Sequence, residues 1–140
     1  MKLKKKMKLK DIPKEDMWYI VDLLSVFCGK EMGINRRRKK ELVYVLGKKE
    51  VDGVHGYYDS DDNEIHFMRK KIKTLDMFIK TFIHEYTHYL QPCKTHYARL
   101  LDLHGYENHP YEVEAFSNEN VYFKKAYREI KYCFSLRENP

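Results

Sequence analysis

Cysteine is scarce in this 140-residue chain, which contains only Cys28, Cys93 and Cys133. No two of them form a C-x-x-C pair, and an odd number argues against the disulfide framework of a small secreted domain. Each is therefore interpreted as a small buried hydrophobic residue rather than as a metal ligand or a nucleophile.

Long apolar runs are also missing from the sequence. No segment approaches the ~18 consecutive apolar residues that mark a membrane-spanning helix. The basic start followed by Met17–Cys28 superficially imitates a signal peptide, but Asp22 interrupts it and no small-x-small cleavage site follows. We therefore expect a soluble, cytoplasmic protein without a membrane span.

The residues that build a hydrophobic core are present in ordinary amounts. Hydrophobic residues make up 43%, aromatic residues 14% and charged residues 34% of the chain, a balance that is not typical of disordered proteins. A chain of 140 residues suits one modest core. The sequence predicts a basic, flexible tail over residues 1–10 and a single domain over residues 11–140.

Positive charge is concentrated in two runs. The net charge is +6, and the lysines of Lys2–Lys10 together with Arg36–Lys40 account for the excess of cations. Runs of this kind bind phosphates or anionic surfaces, although many are simply solvated. Weak contact with nucleic acid or another anionic surface through these two segments is therefore one hypothesis about partners.

Hydrophobic periodicity predicts an α+β fold. Apolar residues recur at helical spacing in three segments, and β-branched or aromatic runs flank turn-forming residues elsewhere. Helices are expected over Pro13–Gly29, Thr74–Gln91 and from Pro110 to about Phe134, and strands over Leu42–Leu46, Val54–Tyr58 and Glu64–Met68. Between the last two helices, Cys93–His109 is expected to be irregular, with a helical turn near Tyr97–Leu103.

The segment His84-Glu85-Tyr86-Thr87-His88 lies within the strongest predicted helix. Histidines four residues apart share one helix face, so His84 and His88 can bind one metal ion. Glu85 projects beside that position, where it can accept a proton from a metal-activated water. The pattern predicts a hydrolase with one Zn²⁺ per chain.

A catalytic zinc site needs a third protein ligand. A histidine six residues after the motif is excluded, because that position is Lys94. Glu112 is explained by its place in the first turn of the last helix. Glu114 lacks such a local explanation and precedes the small Ala115, so it is the preferred ligand. His104 and Glu112 remain alternatives.

The zinc motif and the downstream Glu114-Ala115 pair resemble the gluzincin branch of zincin metallopeptidases. The closest likeness is to the minigluzincins and the ImmA/IrrE-type peptidases. This resemblance implies a minimal zincin-like fold whose C-terminal helix carries the third ligand. It also implies a peptidase in which His84, His88 and Glu114 bind zinc and Glu85 is the general base.

Two further roles are expected around this site. The resemblance implies that the strand Glu64-Ile65-His66-Phe67-Met68 is the edge that holds an extended peptide substrate by β-addition. Asn118 stands one turn after Glu114. It is expected to orient a zinc-bound imidazole by bonding to the Nδ1 of that imidazole.

Other interpretations remain open. SprT-like peptidases, which act on DNA-associated proteins, take a third histidine some way after the motif, and His104 stands at about that distance. The basic segments would suit such a role. Alternatively, the chain is a basic nucleic-acid-binding module whose zinc site is structural or inactive.

Overall fold

The structure is a computed structural model that describes residues 1–47, 53–92 and 94–138. The helices are α1 (Lys14–Glu31), α2 (Leu75–Leu90), α3 (Lys94–His104) and α4 (Pro110–Glu138), and the strands are β1 (Val43–Gly47), β2 (Gly56–Asp59) and β3 (Glu64–Met68). These elements confirm the predicted α+β class. Cys28 is buried as expected, Cys133 is only half-buried, and the prediction for Cys93 falls outside the described residues.

The three strands form one mixed sheet in the order β1–β3–β2. β1 runs parallel to β3, with Tyr44 opposite Ile65, and β2 runs antiparallel to it, with Tyr57 opposite His66. The segment Glu64–Met68 is therefore the central strand, and both of its edges are already paired. This corrects the prediction that it is the substrate edge. A hairpin pattern does not reveal which of its strands a distant third strand will join.

Helix α2 carries the centre of the hydrophobic core. Its residues Phe78 and Phe82 pack against Phe67 of β3, with ring centroids 4.9 and 5.5 Å away. Tyr44 of β1 stacks on Phe82 at 5.0 Å. Because fully burying one such side chain contributes about 1.5–3 kcal/mol, this aromatic cluster holds α2 firmly against the sheet. Helix α4 packs along α2 as well.

The first ten residues, expected to form a flexible tail, lie against the domain. Leu3 and Leu9 are 2% and 0% exposed, while the lysines among them are exposed. The backbone N–H of Leu75 donates to the Met7 carbonyl at 3.1 Å, which ties the segment to the start of α2. Apolar residues interspersed among the lysines let one side of the segment be buried while the charges stay solvated.

Three helices extend further than predicted, including α4, which ends at Glu138 rather than at about Phe134. Helix α1 continues past Gly29 to Glu31, and Gly33, with a φ of 101°, takes the left-handed conformation beyond its end. Helix α3 extends over the whole of Lys94–His104, in place of a single helical turn. Over the described ranges, no helix combines the length and the apolar character that spanning a membrane requires.

Candidate metal centre

His84, Glu85 and His88 lie in the second half of α2, on the side of the helix that faces a cleft. Their spacing places the two imidazoles one turn apart, with ring centroids separated by 5.0 Å. One potential ligand atom from each of the three residues lies within 4.8 Å of the others. This group could hold a metal ion.

A fourth side chain, Glu112, reaches the same point from the first turn of α4. Its Oε1 lies 2.9 Å from His84 Nε2 and 3.1 Å from His88 Nε2, and the residue is only 4% exposed. Three donors bound tetrahedrally to one zinc ion, at about 2.0–2.1 Å each, would be about 3.3 Å apart. Both observed nitrogen–oxygen distances are close to that value, so Glu112 Oε1 is placed to share an ion with the imidazoles.

The preferred third ligand of the sequence analysis, Glu114, lies elsewhere. It is exposed, and its Oε1 accepts a hydrogen bond from Gln91 Nε2 at 2.9 Å. Two residues along a helix correspond to a rotation of about 200°, so Glu112 and Glu114 cannot face α2 together. His104, the other alternative, is exposed at the end of α3. Of the three candidates, only Glu112 meets the two imidazoles.

The second nitrogen of each imidazole is held by an acceptor. His84 Nδ1 lies 2.7 Å from Glu119 Oε2, and His88 Nδ1 lies 2.7 Å from Gln91 Oε1. Because both oxygens accept hydrogen bonds, each Nδ1 carries a proton; with a metal ion bound, each Nε2 would direct its lone pair at that ion instead of donating to Glu112. This is the tautomer that a metal ligand needs.

Asn118, expected to orient an imidazole, has a different partner. Its Nδ2 donates to Thr87 Oγ1 at 3.1 Å, and the Thr87 hydroxyl donates to the Ile83 carbonyl at 2.8 Å. Asn118 therefore joins α4 to α2, while Glu119 and Gln91 act on the imidazoles.

The charges at the centre require compensation. Burial alone would raise the pKa of Glu112, but hydrogen bonds from His84 and His88 hold it well below its usual range. Burial alone would lower the pKa of His84, but its bonds to Glu112 and Glu119 outweigh this and raise the pKa to about 9. Each imidazole thus has an oxygen beside both of its nitrogens. Either each ring carries a second proton, on Nε2, or one cation lies between the two Nε2 atoms and Glu112. A divalent ion would replace two buried protons.

Glu85 has a different environment from Glu112. It is 6% exposed, and burial raises its pKa to about 7, although the nearby His88 and His84 act in the opposite direction. A carboxyl group with a pKa near neutrality can both accept and return a proton. Glu85 thus has the properties of a general base.

The centre opens into a cleft with a volume of about 520 Å³. Helices α2 and α4 form one side, and β2 forms another. Gly56 of β2 passes so close that a Cβ there would lie 2.8 Å from the His66 carbonyl oxygen and 3.6 Å from Glu85 Cγ. A glycine is therefore required where the sheet meets the helix that carries the motif.

Tyrosines line the part of the cleft near Glu112. The Tyr97 hydroxyl donates to Glu112 Oε2 at 2.5 Å, and Tyr106 and Tyr111 also line the cleft. His109 is buried, and its Nε2 lies 2.8 Å from the Tyr97 carbonyl oxygen. Tyr97 is thus the phenol with a hydrogen bond to Glu112, and Tyr106 lines the same cleft.

Sequence reasoning missed Gln91 altogether, and it did not single out Glu119 or Tyr97 from the other acidic residues and tyrosines near the motif. One signal was available: Glu112, Ala115 and Glu119 follow an i, i+3, i+7 pattern, which places them on one face of α4. Ala115 is fully buried in that face. No local pattern marks Gln91, which lies beyond the end of α2, or Tyr97, which lies on a separate helix.

Among the described residues, His84, Glu85 and His88 thus form a group that could hold a metal ion, and Glu112 Oε1 lies within hydrogen-bonding distance of both imidazoles. Comparisons of this chain with protein-family models, with curated proteins and with solved structures found no match.

Proposed function

We propose that this protein is a zinc-dependent peptidase of the gluzincin type. The observation that carries the proposal is the convergence of His84 Nε2, His88 Nε2 and Glu112 Oε1 beside the buried Glu85. Two imidazole nitrogens and one carboxylate oxygen are a donor set used by catalytic zinc sites. When bound there, zinc would supply a Lewis acid that polarises a carbonyl and acidifies a water.

The side chains around the centre can perform the proton transfers of hydrolysis. Glu85 would take a proton from the attacking water and return it to the leaving amine. The phenols of Tyr97 and Tyr106 would donate hydrogen bonds to negative charge that develops on the carbonyl oxygen. Gln91 and Glu119 would keep His88 and His84 in the orientation and tautomer described above.

An extended peptide could bind along the outer edge of β2. In antiparallel strands, residue pairs that are hydrogen-bonded to each other alternate with pairs that are not. The Met68 N–H donates to the carbonyl of the opposite residue His55 at 2.8 Å. Tyr57 and His66 form the next pair but one, so they are hydrogen-bonded to each other as well. The backbone groups of Gly56 and Tyr58 then point away from β3. This edge pairs with no other strand among the described residues and lines the cleft, which supports a peptide substrate over a small molecule.

The position of the basic segments supports this proposal over a nucleic-acid-binding module. The N-terminal segment reaches the first turn of α2, where the Asp76 N–H donates to the Lys5 carbonyl at 2.9 Å. The loop before β1 reaches the last turn, where Asn35 Nδ2 donates to the Tyr89 carbonyl at 2.9 Å. Asp76 and Tyr89 are thirteen positions apart, which corresponds to about 20 Å along a helix. The two basic segments thus contact opposite ends of α2 rather than each other's neighbourhood.

Metal content and cleavage together test the proposal. Purified protein is expected to contain about one zinc ion per chain and to cleave members of a fluorescence-quenched peptide library. Glu85→Gln should retain zinc but lose about 10²–10⁴-fold in rate, whereas Glu15→Gln, an exposed change on α1, should match the wild type. Absence of zinc, or full activity in Glu85→Gln, would overturn the proposal.

A further inference from the structure

Arg38 is a cation in the wall of the cleft. It is half-buried and lines the cleft together with Tyr58 and Ser60, at the far end of β2 from Gly56. Its guanidinium lies 5.4 Å from the centroid of the Tyr58 ring, and its Nη1 donates to the Ser60 carbonyl at 3.5 Å. These contacts position the guanidinium beside the edge along which a peptide could bind.

No carboxylate neutralises Arg38 within the described part of the chain. The ion pairs of its neighbourhood involve other groups, such as Lys40 with Asp62 at 3.6 Å. A half-buried guanidinium keeps several donors free, because one carbonyl and one ring face do not use all five N–H groups. A planar, bidentate acceptor such as a carboxylate fits those donors best.

Arg38 also lines a second cavity. That cavity has a volume of about 450 Å³, and Arg36, Lys39 and Lys40 are among the residues that line it. Arg38 is the residue that lines both cavities. Arg38 therefore lies between the cleft of the candidate metal centre and a cavity lined by further cations.

From this arrangement we propose that the cleft selects acidic peptides, with Arg38 as the specificity-determining residue; the inference rests on the peptidase function proposed above. An extended chain advances about 3.3 Å per residue, and Gly56 beside the centre and Ser60 beside Arg38 are four residues apart. A substrate carboxylate about two to four residues from the scissile bond would meet the guanidinium. Further acidic residues would meet Lys39 and Arg36.

An acidic peptide suits the cleft better than a nucleic acid does. Glu85, Glu112 and Glu119 line the end of the cleft that holds the candidate metal centre. A phosphate backbone carries a charge at every nucleotide and would be repelled there. A peptide can be uncharged at the centre and acidic only where it passes Arg38.

The test uses matched peptides with glutamate or glutamine at single positions two to four residues from the cleaved bond, on either side. Zinc-loaded wild-type protein should cleave the better glutamate peptide with a kcat/KM roughly tenfold higher than its glutamine counterpart. Arg38→Gln should abolish that preference. Arg37→Gln is the matched control, because Arg37 lines neither cavity and should leave the preference unchanged. Raising the salt concentration should weaken the preference in the wild type.

Binding to the Glu85→Gln protein separates this inference from the peptidase function. Fluorescent glutamate and glutamine peptides, and a single-stranded DNA oligonucleotide, would be titrated into that variant with and without Arg38→Gln. Arg38-dependent preference for the glutamate peptide supports the inference even if no peptide is cleaved, an outcome that would reject only the peptidase function. Cleavage or binding without a glutamate preference overturns the inference, as does Arg38-dependent binding of the oligonucleotide alone.

Discussion

Gln91 Oε1 lies 2.7 Å from His88 Nδ1, so an amide just beyond the end of α2 sets the tautomer of a histidine within it. The amide cannot rotate to present its nitrogen instead, because its Nε2 already donates to the Tyr111 carbonyl at 3.0 Å and to Glu114 at 2.9 Å. Glu114 thus contributes to the candidate metal centre indirectly, by fixing the orientation of Gln91.

Replacing Gln91 should weaken metal binding. In Gln91→Leu, His88 Nδ1 loses its acceptor, and we expect zinc affinity to fall about 10–100-fold, as is typical when such a partner is removed. Competition with a chelator of known affinity measures this. Asn118→Ala is the control, because Asn118 bonds to Thr87 rather than to an imidazole. Equal affinities in the two variants would show that the amide does not support the site.

Glu112 and Glu114 should respond differently to the same substitution. Glu112→Gln removes the negative charge between the two imidazoles, so we expect zinc affinity to fall by at least about 100-fold, given how strongly charge and donor type govern zinc sites. Glu114→Gln keeps an oxygen that can accept from Gln91, so its affinity should stay within a few-fold of the wild type. Isothermal titration with zinc would compare them. The reverse order would restore Glu114 as the ligand.

Gly56→Ala should destabilise the fold and disturb the cleft. The added Cβ would lie 2.8 Å from the His66 carbonyl oxygen and 3.1 Å from Thr81 Cγ2, so β2 must shift away from α2. Overpacking of this kind costs about 1–3 kcal/mol, which urea denaturation would measure. Gly29→Ala is the control: its nearest neighbours are 3.9 Å away, and alanine in a helix should be stabilising by up to about 1 kcal/mol. Unchanged stability in Gly56→Ala would contradict the close contact.

The ion pair at the start of α2 should make stability depend on pH. Lys6 Nζ lies 2.7 Å from Asp76 Oδ2. Burial alone would raise the pKa of Asp76, but bonds from Lys6, Thr74 and the Met77 N–H lower it below its usual value. Because the folded-state pKa is depressed, the stabilisation is present above the unfolded pKa of about 3.9 and is lost as pH falls through the folded value.

Asp76→Asn should therefore cost about 1 kcal/mol near pH 7 and progressively less as the pH falls below about 3.9. Urea denaturation of both proteins at pH 7, 5 and 3 would measure the difference. Asp102→Asn, an exposed change on α3, is the control. A difference that stays constant over this pH range would show that the carboxylate of Asp76 does not stabilise the start of α2.

The sequence alone determined the local features of this protein. The i, i+4 spacing of His84 and His88 places both imidazoles on one helix face wherever that helix lies, and the apolar stripe around them predicts the helix itself. The hairpin of β2 and β3 and the long C-terminal helix likewise follow from patterns that extend over a few residues. These are properties of neighbouring residues, and periodicity reveals them.

The tertiary structure decided how these elements meet. The rotation of α4 about its own axis selects Glu112 over Glu114, and packing against α2 sets that rotation. Pairing with the distant β1 makes β3 the central strand and leaves the edge beside Glu85 to β2. Docking of the N-terminal segment depends on a surface that other elements build. Each outcome depends on contacts between residues far apart in the chain, which a local pattern cannot specify.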